Sequence, residues 1–279
     1  MFVKTEVRQE TMGRILWLTD GRTDLAIALD FGLRIVHLSV AGMENLLYRQ
    51  PADCSDGFCT EEGWKLYGGH RLWLAPECKG CYYPDDQPVT WQTGSDGVKV
   101  VQQRDNWQQT EKTLLVTFRE EGGVLLTHGV HNVGAEPLEA ALWSITTLEK
   151  GGTAYAPLLP AQMPKSLCTR SMVFWNTTDP GDPRISFSGN QIVGRYMDIP
   201  DYFKMGAYIA QGTATFENLG QRFTMRFGAQ DDAQYPDKGC NFELYMNRYF
   251  TELESLGTVS RLQPGESATH QELWYLEKC

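Results

Sequence analysis

The 279-residue chain has no uninterrupted apolar run of 18 residues, which excludes an ordinary membrane-spanning helix. Met1–Glu10 is charged and lacks the apolar stretch of roughly 7–15 residues that marks a secretory signal, so a cytoplasmic location is expected. There is no basic stripe. Thirty-five acidic residues against 25 Lys and Arg give a formal charge of -10, which excludes nucleic acid and anionic membrane surfaces as natural partners. A glycine-rich phosphate loop, a Gly-x-Ser-x-Gly elbow and a His-Glu-x-x-His pair are all missing. So are internal repeats, a low-complexity linker and any amphipathic helix longer than three turns, and residues 1–279 are expected to form one domain. The seven cysteines are an odd number, which suits reduced thiols better than a disulfide framework. Cys54, Cys59, Cys78 and Cys81 have a spacing that could hold zinc, or they are loop thiols with no common role. The expectation adopted is no metal and no cofactor.

What the chain does have is aromatic residues and turns. Eight Trp, twelve Tyr and twelve Phe suit β structure. Short apolar or alternating runs recur: Arg14–Leu18, Leu25–Phe31, Leu33–Val40, Pro88–Thr93, Gly97–Gln102, Thr110–Glu120, Gly123–Asn132, Ala140–Leu148, Tyr208–Phe216 and Arg222–Phe227. Gly, Pro, Asp and Asn clusters separate them, the pattern of a sandwich or barrel. Trp64–Pro76 is strand-like but broken by Gly68-Gly69, where a bulge or a close approach of ligand or backbone is expected. The fold class is therefore all-β, with two large packed sheets.

The stretch Asn241–Lys278 reads as strand, loop, strand, with a turn at Leu262-Gln263-Pro264-Gly265-Glu266. Glu252 and Glu254, two apart on the first strand, share a face. That face is either solvated or the floor of a polar pocket. His70 and Arg71 are adjacent and face opposite ways in a regular strand, so both enter one pocket only if the glycines bulge it. His128 and His131, three apart on a strand, also diverge and do not share a metal.

Three stretches together resemble the galactose mutarotase-like superfamily. They are Leu29–Leu38, Tyr67-Gly68-Gly69-His70-Arg71-Leu72-Trp73-Leu74-Ala75-Pro76-Glu77, and the closing Tyr235–Asn241 and Phe250–Gly257 segments before the Pro264-Gly265 turn. The resemblance implies a β-supersandwich of two large, mainly antiparallel sheets and a small carbohydrate as ligand. It also implies a catalytic Glu on the strand before the final Pro-Gly turn, a place filled by Glu252 or Glu254. The family's second His, after the central strands, has no counterpart in Leu142–Thr146.

Aldose mutarotation needs a base for the anomeric hydroxyl and a donor for the ring oxygen. The expected catalytic set is Glu252, Glu254 and His70, the last as acid. The expected substrate-binding set is Arg71, Trp73, Glu77, Trp143, Lys204 and Asp237. Most have an ordinary alternative: a loop bend satisfied by backbone for His70, core packing for Trp73 and Trp143, a structural pair with Glu77 or Asp85 for Arg71, snorkelling for Lys204 and an Asx-turn for Asp237. A non-catalytic carbohydrate binder or sugar sensor of the same fold is the alternative to an epimerase.

Overall fold

The computed structural model describes residues 3–50, 59–61, 63–158 and 171–279. Within them the chain runs through β1 (Lys4–Glu10), β2 (Gly13–Thr19), β3 (Thr23–Ala28), β4 (Ile35–Val40), β5 (Gly69–Ala75), β6 (Thr90–Thr93) and β7 (Gly97–Val101). It continues through β8 (Thr110–Phe118), β9 (Val124–Asn132), β10 (Leu138–Glu149), β11 (Thr153–Pro157), β12 (Met172–Phe174), β13 (Ile185–Ser188) and β14 (Gln191–Arg195). The last third holds β15 (Phe203–Ala207), β16 (Thr213–Asn218), β17 (Gln221–Phe227), β18 (Phe242–Met246), β19 (Phe250–Leu256), β20 (Ser260–Leu262) and β21 (Ser267–Lys278). A one-turn 3-10 segment at Lys79–Tyr82 is the helical element of the described residues, and no helix there is long and apolar enough to cross a membrane.

The strands form two sheets. The larger has the order β1-β2-β3-β4-β5-β10-β19-β18-β15-β12, with β20 beside β10; the other runs β13-β14-β11-β16-β17-β21-β9-β8-β7-β6. Their paired strands are antiparallel. Alternation explains the assembly. In β8 the buried positions are Thr110, Lys112, Leu114, Val116 and Phe118, and in β9 they are Val124, Leu126, His128, Val130 and Asn132. These faces meet the larger sheet in one core that includes Leu25, Ile27, Phe203, Leu244, Leu253, Phe223 and Trp274. The centre of the larger sheet is unusual: β5, β15 and β19 are buried at every position. One face lies in the sheet–sheet core, and the other is covered by loops that leave a hollow.

Gly68 and Gly69 meet the expectation of a close backbone approach. Both have positive φ, 74° and 72°, and a Cβ on either would lie 2.2 Å from a carbonyl oxygen, Tyr48 O and Ile35 O respectively. The entry into β5 is thus wedged between two other chain segments. Gly69→Ala is expected to cost about 2 kcal/mol or more through combined backbone strain and clash, seen as a melting temperature lower by several degrees in differential scanning calorimetry.

Two strand assignments change. The alternating run from Asn241 to Leu253 is not continuous, because Asn247 Oδ1 accepts hydrogen bonds from the backbone N–H groups of Tyr249 (2.7 Å) and Phe250 (2.9 Å). This Asx-turn folds the run into a β18–β19 hairpin and sets Glu243 opposite Glu254. The run at Tyr208–Phe216 is shortened, since residues 208–212 form the connection after β15 and the strand β16 starts only at Thr213.

Candidate functional site

Five neighbouring strands of the larger sheet, β5, β10, β19, β18 and β15, send alternate side chains into the hollow on its outer face. Register places them. Trp73 lies opposite Trp143 and Arg71 opposite Ile145 across β5–β10. Ile145 faces Glu254 and Thr147 faces Glu252 across β10–β19. Tyr245 faces Glu252 across β19–β18 and Lys204 across β18–β15. The hollow has a volume of about 470 Å³, and its lining includes Trp64, Arg71, Trp73, Glu77, Tyr82, Trp143, Trp175, Tyr202, Lys204, Tyr245, Glu252 and Glu254.

The floor is a network of charges held by aromatic walls. Glu252 Oε1 accepts from Thr147 Oγ1 at 2.7 Å and from Arg71 Nη1 at 3.3 Å. The Arg71 guanidinium lies over the Trp73 ring at 4.7 Å. Glu254 Oε2 accepts from Trp143 Nε1 at 2.8 Å and from Lys204 Nζ at 3.1 Å. Lys204 Nζ also lies 2.8 Å from Glu243 Oε2, a contact of charge rather than of good hydrogen-bond geometry. The rings of Trp143 and Trp175 flank the ammonium at 4.5 and 4.8 Å.

Burial and charge compete here. Burial raises the Glu252 carboxyl above the usual range, outweighing the opposite pull of Arg71. Burial pushes Glu243 well above it, against the pull of Lys204. Burial works against the Lys204 charge, but Glu254 and Glu243 outweigh it and hold the ammonium above the ordinary lysine range. Burial pushes the Tyr245 hydroxyl up to about 12, so it stays protonated.

Of the expected residues, Arg71, Trp73, Glu77, Trp143, Lys204, Glu252 and Glu254 come together around the hollow. At Glu77 the carboxylate accepts a hydrogen bond from the Tyr82 hydroxyl. Arg71 pairs with Glu252, while Asp85 takes Arg34 instead. Two expected residues do not join them. Asp237 is a turn residue with φ of 48° and is absent from the lining. His70 lies on the other face of β5, fully enclosed between the sheets, where its Nε2 is 2.9 Å from His128 Nε2. The glycines shape the entry to β5 without turning His70 outward, so strict alternation from Arg71 removes it from any role on substrate. Residues missed at first are Trp64, Tyr82, Trp175, Tyr202 and Tyr245, which line the hollow; Glu243 is buried beside Lys204. Cys54 lies outside the described residues. Cys59, Cys78 and Cys81 do not form a three-ligand metal group; among the described residues His70, His128 and Glu272 do.

No family model matches the chain, and no curated protein is similar to it in sequence. Solved structures are similar in fold. A candidate aldose 1-epimerase from Klebsiella pneumoniae superposes with a TM-score of 0.63 at 12% identity, covering 98% of this chain and 83% of that one. A galactose mutarotase-like protein from Clostridium acetobutylicum gives 0.57 at 12% identity, covering 100% and 99%. A TPR-domain containing protein from Parabacteroides distasonis gives 0.62 at 15% identity over 94% of this chain, which spans 47% of that protein's length. The chain has the galactose mutarotase-like fold. At these identities the likeness concerns architecture alone.

Proposed function

We propose that the hollow binds a free sugar or sugar derivative and interconverts its anomers, with Glu252 as general base. The observation that carries this reading is the convergence of Glu252, Glu254, Arg71 and Lys204 among tryptophans in one concavity. Aromatic faces suit the apolar faces of a sugar ring, and fixed charges suit its hydroxyls. Glu252 is preferred to Glu254 because it is the more accessible, 7% against 1% exposed, and its hydrogen bonds both fall on Oε1. Its raised pKa also brings it toward the range in which a base works best near neutral pH.

In the reaction Glu252 takes the proton of the anomeric hydroxyl, the bond from C1 to the ring oxygen breaks, and the ring oxygen gains a proton. The open-chain aldehyde rotates about its C1–C2 bond and recloses by the reverse steps. With His70 on the far face, the cations facing the hollow among the described residues are Lys204 and Arg71. Lys204 holds its proton too tightly to be an efficient acid, so it serves as a hydrogen-bond donor to the departing ring oxygen while water supplies the proton. Arg71 orients a hydroxyl or an anionic substituent.

The absence of a His among the described lining residues favours one other reading, a binder without catalysis. Two-dimensional NMR exchange between α and β anomers over a panel of aldoses separates them. Faster exchange with enzyme supports the epimerase. Binding with unchanged exchange selects the binder, and absence of both removes the sugar reading.

A further inference from the structure

The interior behind the hollow holds a second constellation that sugar chemistry does not use. His70 on β5 and Ser144 on β10 come from one sheet, and His128 on β9 and Glu272 on β21 from the other. All four side chains are buried. We propose that they form a site for one divalent transition-metal ion that joins the two sheets, with His70 Nε2, His128 Nε2 and Glu272 Oε2 as ligands and Ser144 Oγ, or a water beside it, at the fourth corner.

Geometry is the first support. His70 Nε2 and His128 Nε2 are 2.9 Å apart, Ser144 Oγ lies 3.4 and 3.5 Å from them, and Glu272 Oε2 is 3.9 Å from His70 Nε2. A tetrahedral zinc ion with bonds of about 2.0–2.1 Å spaces its ligand atoms about 3.3–3.4 Å apart. These four separations bracket that value, and the His70, His128 and Glu272 ligand atoms all lie within 4.8 Å of one another, so side-chain shifts of up to about an ångström complete the site.

The surroundings are the second. A metal-bound His has its other ring nitrogen fixed by a partner, and a metal-bound carboxylate is itself hydrogen-bonded. His70 Nδ1 lies 2.9 Å from Thr146 Oγ1. Glu272 Oε1 accepts from Ser255 Oγ at 2.6 Å and Oε2 from Trp274 Nε1 at 2.8 Å. His128 departs from this pattern: among the described residues its Nδ1 has no hydrogen-bond partner, and its Nε2 is the nitrogen turned to His70 and Ser144.

Charge is the third. Among the described residues no Lys or Arg pairs with Glu272, whose ionic neighbour is His70. A dication compensates a carboxylate that is otherwise enclosed without positive charge. The ligands come from distant parts of the chain, so no spacing motif announces them.

The test is metal analysis of the full chain, as purified and after unfolding in guanidinium and refolding with zinc, cobalt(II) or chelator. The expected result is about one zinc per chain and a melting temperature several degrees above that of chelator-refolded protein. His128→Asn and Glu272→Gln are expected to retain less than about a tenth of the metal, while His131→Asn, a change on the exposed face of β9, keeps it. Should the ligand variants fail to fold, the cobalt spectrum of the unaltered chain decides. Tetrahedral d–d bands without thiolate charge transfer support the site. Thiolate charge transfer would assign the metal to cysteines, and absence of bound metal in purified and zinc-refolded protein alike would leave the cluster a hydrogen-bonded network; either result overturns the proposal.

Discussion

Glu252→Gln is expected to slow enzyme-dependent anomer exchange by about 10²–10⁴-fold, the usual contribution of a positioned general base. Gln keeps the volume and a carbonyl oxygen that can still accept from Thr147 Oγ1 and Arg71 Nη1, so the hydrogen bonds of 2.7 and 3.3 Å have a replacement acceptor. What is lost is the ability to take a proton. Sugar affinity should change by less than about tenfold if ground-state contacts are retained. The measurement is exchange rate against sugar concentration by NMR, with circular dichroism to confirm the fold. Glu254→Gln is the informative neighbour. Its carboxylate anchors Trp143 and Lys204, so that change should weaken binding and stability as well as rate.

Lys204→Met is expected to be the most destabilising single change at the site, by about 3–5 kcal/mol, because it leaves Glu243 and Glu254 enclosed without their cation. A drop of about ten degrees in melting temperature follows for a chain of this size. The pH dependence carries the sign. Burial already holds the Glu243 carboxyl above its unfolded value of about 4.3, and removing the ammonium takes away the pull that opposes this shift. Groups shifted in that direction favour the folded state below the unfolded pKa, and the benefit is lost as pH rises through the folded pKa. The gap between variant and parent should therefore be widest near neutrality and narrow as the pH falls toward about 4. Adding Glu243→Gln should recover part of the loss, since it removes one of the stranded carboxyls. Equal destabilisation at pH 4 and pH 7 would mean that Lys204 acts through packing on Trp143 and Trp175 rather than through charge.

The fold was readable because turn chemistry and alternation acted together. The pieces from Gly97 to Leu148 show turn residues and buried alternate positions that mark β7 to β10 within a few residues. β1 gave no such signal, being an edge strand with hardly a buried side chain, so KTEVRQE looks like any charged segment. The β18–β19 hairpin was hidden because one Asn side chain, not a Gly or Pro pair, makes the turn. The site was half readable. Period-two alternation placed Glu252 and Glu254 on one face, and it also opposed His70 to Arg71. Where motif likeness drew His70 into the site, the elementary geometry of a strand was the better guide. Tyr245 could not be found without pairing register, because what brings it to the hollow is which strand lies beside which.

The most direct test of the central claim is a crystal structure of the protein with an aldose bound. The sugar ring is expected in the hollow of the larger sheet, against its tryptophans, with the anomeric hydroxyl within hydrogen-bonding distance of Glu252. A sugar bound elsewhere, with the hollow holding only water at saturating ligand, would contradict the account.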